Sequence, residues 1–310
     1  MTLVQLEYIV AVDTYRSFVG AAEKCFVTQP TLSMQVQKLE EMLNVKLFDR
    51  SRQPVTPTEI GAQIIEQARI VLQESQKIKE LINNQQQDIA GELRVGIIPT
   101  LAPYLLPQVI ASMMEKYPAL KLLIWEYTTD DIIHHLKTGV LDCGLLATPL
   151  AEESIIEDPL FYENFVTYIS KNSKLIKKKN IDPEDLESEN IWLLNERHCM
   201  RAQVLNICRS TQENRLQGLT YNTGSVETLI KMVDLNNGAT IIPELALAEL
   251  SNKQLSKIRP FKSPEPVREI SLVTHKNFIK KRMLNAFKEE IMEVVPKTMK
   301  NKKKKDVIGL

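Results

Sequence analysis

Beyond Glu92 the chain alternates short, continuous apolar runs with helix-spaced segments, and this alternation fixes the architecture of most of it. Residues 93–98, 120–127, 141–147 and 165–170 read as strands, with helices at 101–116 and 131–137 between them. Strands that are apolar throughout need cover on both faces, which crossover helices give to a parallel sheet. The pattern resumes with strands at 191–195 and 219–222, a helix at 225–236 and a strand at 239–242. Gly238 stands just past that helix, where a left-handed cap belongs. A strand at 270–274 and a helix at 279–294 then lead back to the first group. The expectation is a two-lobed α/β domain over 91–296, with a cleft that suits a small ligand. The lysine-rich tail, 297–310, reads as a solvated, disordered end.

The first 58 residues follow a different rule. Leu3, Leu6, Ile9 and Val10 give one helix an apolar stripe, and Phe18, Ala21, Ala22 and Cys25 give a second. Thr28 can cap a third, with Pro30 in its first turn, where no backbone donor is lost. Leu32, Val36, Leu39 and Leu43 form its buried face. The other face presents Gln29, Pro30, Thr31, Ser33, Met34, Gln37 and Lys38, side chains that can read base edges in a major groove of double-stranded DNA. The stretch 48–57 reads as a hairpin wing whose Arg50 and Arg52 would reach phosphates or the minor groove. Charge alone does not demand DNA. Lys plus Arg and Asp plus Glu are 39 each, and residues 1–60 balance at 6 − 7 = −1. On periodicity alone, a three-helix packing module without a DNA role stays open.

Residues 59–90 read as a linker helix reaching about Asp88. Ile64, Ala68, Val71, Ser75, Ile78 and Ile82 step by 4, 3, 4, 3, 4, a heptad seam that suits a two-stranded coiled coil. A long helix packed on its own domain is the alternative. Pairing would bring two recognition helices to two half-sites.

These residues resemble a known family. Ala21-Ala22, Thr28-Gln29-Pro30-Thr31-Leu32-Ser33, Leu39-Glu40, Leu47-Phe48-Asp49-Arg50 and Thr56-Pro57-Thr58 with Gly61 are similar to the LysR-type DNA-binding domain. Gly238 with Ile241-Ile242-Pro243 looks like the effector-domain signature of that family. The resemblance implies a winged helix-turn-helix joined to a periplasmic-binding-protein-like domain, assembled as a homodimer or homotetramer, and a transcription regulator working with RNA polymerase and not an enzyme. Val19-Gly20 departs from the Ser or Thr that many members carry at the start of helix two, which would weaken a cap.

Within that family, the segments around Cys199 and Cys208, around Pro99-Thr100-Leu101 and around Asp142-Cys143 are similar to the peroxide-sensing OxyR branch. The resemblance implies that Thr100 and Thr129, each just past a strand, bind hydrogen peroxide beside Cys199, and His198 and Arg201 are read as further peroxide-binding residues. Thr220 stands where members of the branch can carry a histidine. Thiolates form where positive groups or helix N-termini stabilise them, and Arg197, His198 and Arg201 surround Cys199. Peroxide would convert Cys199 to a sulfenic acid, and Cys208 could condense with it to a disulfide. Nine residues apart on a helix, the two Cα atoms would be roughly 13.5 Å apart. A disulfide tolerates at most about 7 Å, so any helix between them must open. Cys25 and Cys143 sit among apolar neighbours and read as core. No metal site fits, since His198, Cys199 and Cys208 lack a fourth ligand, and no cofactor is called for. The alternatives are a LysR-type sensor of a metabolite, or a thiol peroxidase or binding protein with a DNA-like head. No apolar run nears the roughly 20 residues of a membrane span. The N-terminus has no signal-peptide pattern, so the expected compartment is the cytoplasm.

Overall fold

A computed structural model describes residues 1–83, 89–208, 223–300 and 305–309. The chain forms two compact units, Met1–Gln87 with Asn277–Ile279, and Asp88–Lys276 with Lys280–Leu310.

In the first unit, α1 (Leu3–Tyr15) starts at a capping box in which Thr2 and Gln5 satisfy each other's backbone amides. The next helix, α2 (Phe18–Lys24), is capped by Ser17, whose hydroxyl accepts from the Gly20 amide at 3.3 Å. The weak cap expected from Val19-Gly20 is therefore absent, because the capping residue stands one position before the helix. Recognition-type helix α3 (Gln29–Leu43) begins at Thr28 with Pro30 in its first turn, as expected. Two short strands, β1 (Phe48–Asp49) and β2 (Thr56–Pro57), pair antiparallel as the wing. Ile9, Val12, Ala21, Leu32, Val36, Leu39 and Leu47 make a closed core.

Two motif residues acquire a physical reason here. Glu40 is buried, and its carboxylate accepts from the Leu47 amide at 2.8 Å and pairs with Arg50 at 3.2 Å, fastening the wing to α3. Gly61 lies so close to the Leu47 carbonyl that a Cβ would fall 2.0 Å from its oxygen. Only glycine fits where the next helix crosses that strand.

That helix, α4 (Glu59–Asn83), belongs to the first unit. Ile64, Ile65 and Ala68 pack into its core, and Arg69 pairs with Asp13 at 2.7 Å. Val71 is 37% and Ile78 66% exposed. The seam thus divides: its start is satisfied within the chain, and its continuation is not. Residues 84–88, the expected end of the helix, lie outside the described residues.

The second unit opens with β3 (Gly91–Ile97), α5 (Ala102–Lys116), β4 (Leu120–Glu126), α6 (Thr129–Lys137) and β5 (Cys143–Thr148). These three strands are parallel, as expected. The rest is not. A long β6 (Ile155–Ile169) runs from the first lobe into the second. After α7 (Cys199–Cys208) and α8 (Val226–Asn236), β7 (Ala239–Pro243) pairs antiparallel with β6. A short α9 (Asn252–Leu255) and β8 (Ile258–Pro260) follow, then β9 (Glu265–His275), antiparallel to both β5 and β6. The strand order is β4-β3-β5-β9-β6-β7. The expected strand at 191–195 reduces to one bridge, Ile191 to Ala239; that at 219–222 lies outside the described residues.

The described residues of the tail, 297–300 and 305–309, depart from the disorder expected of it. After α10 (Lys281–Val294), the segment Lys297–Lys300 forms a 3-10 turn with Met299 buried. Then β10 (Lys305–Val307) adds parallel to β9, with Val307 opposite Val267. Behind the lysines the chain carries Val307 and Ile308, and Ile308 packs against the second-lobe core. No described helix is long and apolar enough to cross a membrane.

Candidate functional sites

The first candidate is the outer face of α3. Gln29, Pro30, Thr31, Met34, Gln37 and Lys38 are exposed and Ser33 is half-buried, as the periodicity requires. Gln37 donates to Glu41 at 3.0 Å and Thr31 shares a hydroxyl contact with Thr28 at 2.8 Å. Arg50 is exposed and also makes contacts within the domain. Its guanidinium lies over the Phe18 ring at 4.8 Å, pairs with buried Glu40 and donates to Ser33 at 3.3 Å. These contacts fasten the wing to α3. Arg52 remains at the surface, in an exposed pair with Asp49 at 3.1 Å. Sequence reasoning passed over Phe26, 95% exposed in the turn before α3 with φ of 55°.

The second candidate lies beyond the ends of β3 and β4. Thr100 and Thr129 each stand three residues past the register pair Ile97 and Glu126, so adjacent parallel strands carry them to matching places. The backbone amides that follow Thr100 are already engaged. Leu101 and Ala102 both donate to the Ile98 carbonyl, and Pro103 has no N–H. What Thr100 offers is its hydroxyl.

That hydroxyl is held by Arg268. Arg268 and Glu163 face each other across the antiparallel β9–β6 ladder, and neither has solvent exposure. Arg268 Nε donates to Glu163 Oε2 at 2.8 Å, Nη1 to Thr100 Oγ1 at 2.9 Å, and Nη2 to the Thr100 carbonyl at 3.1 Å. The other Glu163 oxygen accepts from the Leu245 amide at 2.9 Å. Thr100 Oγ1 thus accepts from the guanidinium, and its own proton remains available to a ligand. Thr129 Oγ1 is buried and has no hydrogen-bond partner among the described residues.

Cys199, the first residue of α7, meets this group. Burial pushes its thiol above the usual value. The Thr129 hydroxyl, the Arg268 charge and the backbone amides of Met200 and Cys199 act in the opposite direction, toward the thiolate. The balance corrects the expectation of a thiol activated by its sequence neighbours. The leading cation is Arg268, from another strand. Arg201 donates to the Leu194 carbonyl at 2.9 Å. His198 packs against Gly224, where a Cβ would come within 2.9 Å of its Nε2, and burial holds its pKa below the usual imidazole range. Burial therefore disfavours its cationic form beside the thiolate.

Cys208 ends α7, is buried, and has its pKa pushed up to about 11. Both cysteines are free thiols, at the first and last positions of one helix. Cys143 is fully buried and Cys25 packs against the N-terminal core, as expected of core thiols. Thr220 lies outside the described residues. Sequence reasoning missed Glu163 and Arg268. The signal available was one charge of each sign, placed two residues before the apolar runs at 165 and 270.

Residues 3–62 match the bacterial regulatory helix-turn-helix protein family, lysR family, and residues 86–296 match the LysR substrate binding domain. A hydrogen peroxide-inducible genes activator of Haemophilus influenzae is 36% identical over 275 residues, covering 88% of this chain and 90% of that protein. A full-length OxyR variant from Pseudomonas aeruginosa has TM-score 0.79 and 34% identity, covering 94% of each chain. An H2O2-bound mutant of Corynebacterium glutamicum OxyR has TM-score 0.61 and 26% identity, covering 94% of this chain and 92% of that one.

Proposed function

The chain belongs to the LysR family of bacterial helix-turn-helix regulators, and from that premise we propose that it senses hydrogen peroxide through Cys199 and Cys208. One observation carries this reading. The buried Thr129 hydroxyl and the Arg268 charge both act on the Cys199 sulfur, and the same guanidinium orients the Thr100 hydroxyl. A hydroxyl and a cation acting on a sulfur, with a second hydroxyl held by the same cation, suit a small, polar, uncharged oxidant. In this reading Thr100 and Thr129 hold peroxide by hydrogen bonds. The Cys199 thiolate attacks one oxygen, the O–O bond breaks, and hydroxide leaves as the sulfenic acid forms. The Cys208 sulfur then displaces water, giving the disulfide. The cycle stops until a reductant supplies two electrons, so the protein is a switch and not an enzyme.

The output is operator DNA in the cytoplasm. Gln29, Ser33 and their neighbours on α3 read base edges, and Lys38 and Arg52 meet the backbone. Pairing through α4 makes a dimer, and further assembly to a tetramer and contact with RNA polymerase complete the regulator. Mass spectrometry of a proteolytic digest tests the switch: stoichiometric peroxide should yield a Cys199–Cys208 disulfide and change operator binding in a gel shift. Thr129→Val should slow oxidation several-fold, since it removes the hydroxyl that favours the Cys199 thiolate. Free thiols at both positions after peroxide, with operator binding unchanged, would leave a LysR-type metabolite sensor as the better reading.

A further inference from the structure

Gln203 is fully buried in the middle of α7, among Met200, Val204 and Ile207. A buried amide is costly unless it is bonded. Among the described residues its one side-chain bond reaches outside the helix, from Nε2 to the carbonyl of Ile308 at 3.1 Å, while Oε1 has no partner. Three residues on, Asn206 donates to the Gly309 carbonyl at 3.4 Å. The C-terminal segment that accepts both is itself fixed: β10 pairs with β9, and the Ile308 amide donates to the Val267 carbonyl at 2.8 Å. The helix between the two cysteines is therefore tied by its own polar side chains to the end of the chain.

Resting on the peroxide reading above, we propose that Gln203 is a positioning residue of the switch, which holds α7 closed through the C-terminal segment. Condensation of the Cys199 sulfenic acid with the Cys208 thiol releases water and needs α7 to open. While Ile308 is docked, opening breaks the Gln203 bond. Once the segment leaves, Gln203 is an orphaned amide in an apolar core, and the closed helix loses its advantage. The segment sets the rate of the second chemical step and leaves the first alone.

The test uses the full-length chain, a chain lacking residues 305–310, and Gln203→Leu in both. Trapping of the sulfenic acid in a Cys208→Ser background reads the first step, and loss of alkylatable thiols reads the second. Deletion should leave sulfenic acid formation unchanged and speed condensation about fivefold or more, the factor for about 1 kcal/mol of lost restraint. In the Gln203→Leu background the same deletion should have little effect. Should the shortened chain fail to fold, Ile308→Pro, which removes the amide bonded to Val267, serves in its place. Unchanged condensation on deletion, or equal acceleration with and without Gln203, would overturn the proposal. An absent disulfide in the unaltered chain would overturn the peroxide reading itself, and the proposal with it.

Discussion

Cys199 faces two opposed influences, and their balance governs how it reacts. Burial disfavours the thiolate, while Thr129, Arg268 and two backbone amides favour it, and the thiol remains above its ordinary value. Below that value the thiolate fraction rises tenfold per pH unit. The sulfenylation rate in a Cys208→Ser chain should therefore climb with a slope near 1 in log rate from about pH 6 to pH 8. Stopped-flow measurement showing a plateau below pH 7 would mean the thiolate is already formed. Arg268 has a second duty, because its partner Glu163 has no solvent to turn to. Arg268→Met leaves that carboxylate buried and unpaired, and urea unfolding should register a loss of about 3–5 kcal/mol. Adding Glu163→Gln should recover part of the stability, since no charge then stays buried. Sulfenylation should remain slow in both chains, because neither positions Thr100 nor offers Cys199 a cation. Recovery of rate along with stability would reduce Arg268 to a structural role.

At the scale of elements, α4 shows one pattern serving two purposes. Ala68 and Ile65 are buried against α1 and its neighbours, while Val71 and Ile78 project outward. Val71→Asp with Ile78→Asp should dissociate the dimer in sedimentation without unfolding the N-terminal unit, and operator affinity should fall with it. An intact dimer would move the main interface off this seam. The helix was legible because its apolar spacing is sustained; α3 was legible because Thr28 and Pro30 mark its start. Elements that depend on distant partners were not. The first half of β6 carries Glu157, Asp158 and Pro159, which interrupt an apolar run, yet these residues pair with β9 around an irregularity between Pro159 and Phe161. Residues 191–195 are apolar enough for a strand, but among the described residues only Ile191 bridges to a strand. In the tail, the lysine run outweighed Val307 and Ile308, whose place is set by the open side of β9. The site divided in the same way. The cysteines and threonines announced themselves by chemistry and resemblance, whereas Arg268 meets Glu163 only because β9 and β6 pair in one register.

For the whole molecule, a sensor at one site and DNA recognition at another must obey linkage. If the disulfide form and the dithiol form differ in operator affinity, DNA must shift the disulfide's reduction potential by the same free energy. For a two-electron couple, a tenfold preference corresponds to about 30 mV. The reduction potential of the Cys199–Cys208 pair, titrated against a glutathione buffer, should therefore differ between the protein alone and the protein saturated with operator. An operator preferred tenfold by the oxidised form should lower the potential by about 30 mV, and one preferred by the reduced form should raise it equally. Nonspecific DNA of the same length and salt should shift it less, because phosphate contacts carry no sequence information. The comparison holds whatever path connects the sites, since it depends only on the end states. A potential unmoved by operator, in a chain that forms the disulfide, would show that oxidation does not alter operator affinity. The regulatory output would then have to arise from how the bound protein is arranged, or from what it offers RNA polymerase, and not from how tightly it binds.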